Sequence, residues 1–144
     1  MLDQTELDTL LGELSEKKNK IEKLFTAELL EPDILLVTVS GRILGQCESL
    51  EIIRKISDTS AGKKLYMIMN LSQCNYLSSL VLGALARIAE NSIKSNKKIC
   101  AFGANDTIID LLNLTMFNEF IELRQSLVDA VAYVHRMMNS DKNL

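Results

Sequence analysis

Residues 64–86 read KLYMIMNLSQCNYLSSLVLGALA. An apolar run, Leu65–Leu71, gives way to a short polar stretch, then to a serine pair, Ser78–Ser79, and then to a segment rich in alanine and leucine. An apolar run of this length, bounded by polar residues, predicts a buried strand; the spacing beyond the serines predicts a helix that begins with them. At a helix start the free backbone N–H groups and the dipole favour negative charge, so Ser79 stands where a phosphate is stabilised. The same place suits a serine that only caps the helix.

Working outward, 144 residues fit one domain with a real core. The chain is 47% apolar and 24% charged, a globular balance. Its net charge of −3, with no Trp and few aromatics, argues against a nucleic-acid surface. No apolar segment approaches the roughly 20 residues that span a bilayer, and the acidic N-terminus is unlike a signal peptide. Cys47, Cys74 and Cys100 are widely spaced without a CxxC, and with the lone His135 they fit no structural zinc pattern. Reduced thiols, no metal and a cytoplasmic setting are expected. Cys100 reads as a small core residue and His135 as a surface histidine.

Residues 2–25 predict a helix. Asp3 and Glu6 make a capping box, and Leu7, Leu10, Leu11, Leu14, Ile21, Leu24 and Phe25 form one apolar stripe. Acids come first and lysines last, as the macrodipole favours. Gly12 costs about 1 kcal/mol against alanine and sets the first turns apart. Phe25–Leu30 and Ile34–Val39 predict strands joined at Glu31-Pro32-Asp33 as a hairpin. Gly41 and Gly45 bracket a loop before a helix over Glu48–Ser57, and Leu65–Leu71 is the central strand. A helix over Leu80–Ile93 follows, then a strand at Ile99–Phe102. Asn105 or Asp106 caps a helix to Leu114, and Phe120–Leu123 is a last strand. Ser126 caps a closing helix with Leu127, Ala130, Val131 and Val134 on one face, and Asn139–Leu144 is a frayed tail. Alternating elements predict an α/β fold with a mixed sheet and parallel pairs made through helical crossovers. The expected organisation is an interaction helix (1–24), a domain (25–138) and a disordered tail (139–144).

Enzyme motifs are missing from the sequence. There is no GxxxxGK[ST], GxGxxG or GxSxG, and one histidine without a paired acid makes no hydrolase triad. The central strand ends in Asn70 and Leu71, without the aspartates of a phosphate-accepting receiver. Neither catalysis nor a cofactor is expected.

From Phe25 to Val134 the chain resembles the STAS family, the anti-sigma-factor antagonist domains of bacterial partner-switching systems. Three segments carry the resemblance: VTVSGRILGQCESLEIIRKI, MNLSQCNYLSSLVLGAL and CAFGANDTIIDLLNLTMFNEFIELRQSLVDAVAYV. It implies a STAS-like mixed sheet with helices packed mainly on one side, here with an extra N-terminal helix. It also implies a regulatory module without catalysis, which binds a protein partner such as an anti-sigma factor of serine-kinase type until a serine is phosphorylated. That serine falls on Ser79, with Ser78 the lesser candidate, and the partner surface on Ser78, Ser79, Leu80, Gly83, Leu44 and Gln46. The family's aspartate before the serine is Ser78 here, its following Ser-Gly is Leu80-Val81, and its loop aspartate is Leu44.

The first residues, LDQTELDTLL, resemble the N-terminal peptide of flagellar motor switch proteins. That resemblance implies docking of a phosphorylated chemotaxis response regulator through Gln4, Glu6, Leu7, Asp8, Leu10 and Leu11. The other readings of the chain are a scaffold protein that dimerises through residues 2–25 without a phospho-switch, so monomer and homodimer both stay open, and a small-molecule sensor.

Overall fold

The computed structural model describes residues 3–12, 24–43, 46–61, 63–92 and 99–142. The helix α1 covers residues 4–12. It is followed by β1 (Phe25–Glu31), β2 (Ile34–Ile43), α2 (Gln46–Ser60), β3 (Tyr66–Leu77), α3 (Ser79–Ser92), β4 (Ile99–Phe102) and α4 (Asp106–Thr115). A 3-10 turn at Phe117–Glu119, the strand β5 (Ile121–Arg124) and α5 (Leu127–Lys142) complete the described chain. The predicted continuation of α1 through residues 13–23 and the loop residues Leu44 and Gly45 lie outside the described residues.

The five strands form one sheet in chain order, β1-β2-β3-β4-β5. Pro32 and Asp33 turn β1 back against β2 as the predicted antiparallel hairpin. Each later pair is parallel, with a helix between, so the sheet is mixed.

Alternation of side chains along the strands fills both faces. Leu35, Val37 and Val39 of β2, Met67, Met69 and Leu71 of β3, and Ile99 and Ala101 of β4 turn to one side. There they meet Ile52 and Ile56 of α2, Val81, Leu82 and Leu85 of α3, and Ile108 and Leu112 of α4. The residues between them, Ile34, Leu36, Tyr66, Ile68 and Cys100, turn to the other side under Ala130, Val134 and Met137 of α5. Strands this apolar on both faces are what a buried parallel sheet requires.

Several elements differ from their sequence-based expectations. The strand β2 does not stop at Val39 but runs through Gly41, where the register against β3 shifts. Gly41 has φ +78°, and a Cβ there would lie 3.1 Å from Leu24 Cδ2, so glycine carries the bulge. The strand β3 continues past Leu71, because its polar residues pair irregularly with β2 rather than forming a loop. Leu127 is 37% exposed and lies outside the buried face of α5, where Met137 takes its place. Residues 139–142 are helical, where a frayed tail was expected.

Contacts at both ends seat α5. At its start Ser126 Oγ accepts the Asp129 N–H at 3.1 Å. Arg124 donates twice to Asp129, at 3.0 and 2.7 Å, and lies 5.3 Å from the centre of the Tyr133 ring. At its end the Tyr66 hydroxyl donates to Asp141 at 2.5 Å. Burial, together with Asp141, pushes the Tyr66 phenol up to about 12. His135 Nε2 lies 2.9 and 3.0 Å from the Glu31 oxygens, so this surface histidine, expected to lack a paired acid, has one 104 positions away and ties α5 to β1.

The Arg124 guanidinium, aided by the Gln125 N–H, holds the Asp129 carboxyl below its ordinary value. A lowered carboxyl contributes stability above the unfolded value, near pH 4, and loses it as pH falls through the folded value. Asp129→Asn should therefore lower the urea midpoint at about pH 7, and the gap from wild type should be smaller at about pH 2.5. An equal gap at both pH values would contradict this account of the α5 start.

Candidate functional site

The parallel strands β2 and β3 end side by side, with Ile43 opposite Leu77. The helices α2 and α3 begin just beyond them, and in α/β sheets the carboxyl ends of parallel strands are where recognition surfaces form. The Ser78 N–H donates to Ile43 O at 2.9 Å, fixing the start of α3 to the neighbouring strand.

The two serines divide their work. Ser78 Oγ accepts the Val81 N–H at 3.3 Å and Ser78 O accepts the Leu82 N–H at 3.0 Å, which makes Ser78 the N-cap. Ser79 is the first residue of the helix and is exposed. Val81 and Leu82 are buried and anchor the first turn in the core, whereas Leu80 is 49% exposed. The bulk at Leu80 therefore costs the core nothing. Gly83 is half-buried, and a Cβ built on it would meet nothing within 4 Å. No acid stands in the first turn of α3, so the positive end of its dipole is not neutralised within the helix.

The structure thus brings Ser78, Ser79, Leu80 and Gly83 to one helix start. Leu44 and the side chain of Gln46 fall outside the described residues. Sequence reasoning missed two neighbours, Arg42 and Tyr76, and named Asn105 only as a helix cap. Arg42 lies 5.7 Å over the Tyr76 ring on the paired strand ends. Asn105 caps α4 through the Ile108 N–H at 2.8 Å, and its Nδ2 donates to Cys74 O and Asn75 O at 3.4 and 3.3 Å. That side chain ties the loop after β4 to the end of β3. No local pattern signalled the first pair, because the register between β2 and β3 shifts just before Arg42, and nothing local announced the span from Asn105 to Cys74.

The helix α1 stands apart from this surface in character. Asp3 and Glu6 exchange hydrogen bonds as a capping box, at 2.8 and 3.2 Å. Gln4 donates to Asp8 at 2.9 Å. Leu7, Leu10 and Leu11 are 39, 43 and 62% exposed, so the apolar face of α1 is open.

Burial pushes the Cys74 thiol up to about 11 and the Cys100 thiol up to about 12, which leaves both protonated and unreactive near neutral pH. No group of three or more potential metal ligands occurs among the described residues. Two hollows of about 220 and 290 Å³ flank the end of α5, lined by Asp33, Tyr66 and Asp141 and by Glu31 and His135 respectively. No helix among the described residues is long and apolar enough to cross a membrane.

The STAS domain profile matches residues 30–130. The chain is similar in structure to the anti-sigma factor antagonist SpoIIAA in its unphosphorylated form, with a TM-score of 0.56 and 13% identity, covering 77% of this chain and 97% of that one. It is also similar to the phosphorylated form of the Bacillus cell fate determinant SpoIIAA, with a TM-score of 0.53 and 15% identity over 76% of this chain and 98% of that one. A third similar structure is an uncharacterised protein with a SpoIIAA-like fold from Shewanella loihica, with a TM-score of 0.52 and 10% identity over 76% and 90% of the two chains. No curated protein matches the sequence. These likenesses give the fold of an anti-sigma-factor antagonist, and with the profile spanning most of its length the chain belongs to the STAS domain family.

Proposed function

We propose that this chain is a non-catalytic, partner-switching module of the anti-sigma-factor antagonist type, gated by phosphorylation of Ser79. One observation carries the reading. The cap bond at the start of α3 is made by Ser78, which leaves the exposed Ser79 hydroxyl outside the cap. In its unmodified form the surface of Ser79, Leu80 and Gly83 holds a protein partner of serine-kinase type by burying Leu80. A phosphate on Ser79 adds about −1.5 to −2 charges. The helix N-terminus tolerates that charge, to the extent of about 0.3–1 kcal/mol or somewhat more. An apolar interface closing over Leu80 does not, because it would have to desolvate the phosphate. Phosphorylation then releases the partner without unfolding the site.

The open leucines of α1 support a second contact. Leu7, Leu10 and Leu11, flanked by Glu6 and Asp8, form the kind of short acidic amphipathic helix that lies in a groove of a phosphorylated response regulator. The module would then join a receiver-controlled signal to the Ser79 switch.

Two measurements test these readings. Intact-mass analysis of the protein from its own cells should show a phosphate adduct that Ser79→Ala abolishes and Ser78→Ala does not; absence of any adduct under every growth condition would remove the switch. Because Ser78 is the cap, Ser78→Ala should lower stability by about 1 kcal/mol, and Ser79→Ala by under about 0.5 kcal/mol. For α1, titration of the full chain with an activated receiver domain should show saturable binding that Leu10→Ala weakens about tenfold or more, as loss of a buried leucine anchor predicts. No binding at high micromolar concentration would exclude the receiver as its partner.

A further inference from the structure

The helices α2 and α3 pack side by side with their starts at the same end of the sheet, and two packed helices leave a shallow groove along the solvent side of their seam. On α2, Lys55 Nζ donates to Phe25 O at 2.7 Å, so that flank faces β1. At about 100° per residue, the opposite flank carries Leu50, Ile53 and Ser57 toward α3. On α3, Val81, Leu82 and Leu85 enter the core, and Leu80, Ala84 and Arg87 share the flank toward α2. Leu50 is 59% exposed and Leu80 49%, so both stand as apolar lips at the mouth. Next to them the open space over Gly83 makes a notch where another backbone can approach closely. Arg54 is occupied by Glu51 and Asp58. Arg87 is exposed and makes no hydrogen bond or ion pair among the described residues, which leaves one free cation at the side of the groove.

The chain carries a segment of complementary chemistry. Residues 3–12 hold Asp3, Glu6 and Asp8 and no lysine or arginine. On the helix the acids border the leucine stripe of Leu7, Leu10 and Leu11. The Asp3–Glu6 box holds the first turn, so binding need order little more. Every residue from 3 to 12 is exposed, so the chain's own body does not cover this stripe.

We propose that α1 of one copy seats in the groove between α2 and α3 of a second copy, with its leucines between Leu50 and Leu80 and its acids toward Arg87. Each copy supplies one helix and one groove, so the exchange closes as a two-fold dimer with two equal seats. The seat overlaps the Ser79 surface and rests on that reading only in sharing it. A self-associated copy hides its own switch surface, and a partner must displace the helix to bind.

Sedimentation velocity of the full chain, with no partner present, tests the seat. The wild type should form dimers in the micromolar range. Arg87→Glu alone, and Asp8→Arg alone, should each weaken dimerisation about tenfold or more while leaving the circular dichroism spectrum unchanged, since both residues are exposed and neither belongs to the Asp3–Glu6 capping box. An equimolar mixture of the two variants should dimerise again, because the reversed helix meets the reversed groove and the native helix meets the native groove. A wild type that stays monomeric, a dimer that Arg87→Glu does not weaken, or variants that fail to rescue each other would each overturn the proposal. The mass measurement on Ser79 is independent of all three outcomes, so failure of the dimer and failure of the phospho-switch can be told apart.

Discussion

The structure depends on the parallel pairing of β2 with β3. The two strands stay paired from Ile34 opposite Tyr66 to Ile43 opposite Leu77, far longer than the pairing of β3 with β4. Their side chains supply the centre of both cores. Where they end decides where α2 and α3 begin, and the Ser78 N–H to Ile43 O bond joins the end of one strand to the helix that follows the other. The pairing is kept through two register shifts. At one of them Asn70 Oδ1 takes both the N–H and the hydroxyl of Ser72, which satisfies polar groups that an ideal ladder would have paired. The loop after β4 comes so near that a Cβ on Gly103 would lie 2.9 Å from the Ser72 backbone, with φ +79° at that glycine. Only a residue without a side chain fits there.

This frame explains why the α3 start tolerates its departures from the family pattern. Capping and core anchoring are both met by residues other than Ser79, namely Ser78 for the first and Val81 and Leu82 for the second. Leu80 points outward, so its size is a property of the surface and not of the packing. The helix start can therefore vary its exposed chemistry without altering its position.

Much of this was legible in the residues. Apolar alternation, the Pro32 turn and the helix spacings gave the order and type of the elements, and the resemblance of three segments gave the family. The Ser78–Ser79 pair was read as a helix start, but which serine caps was open, since both have the same hydroxyl and only backbone geometry separates them. Gly41 was read as a loop residue because glycine at a bulge and glycine in a loop look alike in sequence. The polar residues from Ser72 to Asn75 hid the second half of β3, whose pairing is set by β2 and not by local propensity. The order at residues 139–142 comes with a contact 75 positions away, from Tyr66 to Asp141, which no local pattern announces.

That same contact bears on how the protein is made. Synthesis proceeds from the N-terminus, and α5 emerges after every strand that it covers. Until Val134, Met137 and Asp141 have left the ribosome, the sheet face of Ile34, Leu36, Tyr66 and Ile68 has no cover from α5. For that interval the nascent chain carries a broad sticky strand face, the kind of surface that chaperones bind and that aggregates seed from. Closing the second face thus waits on α5, which follows in the chain every strand that it covers.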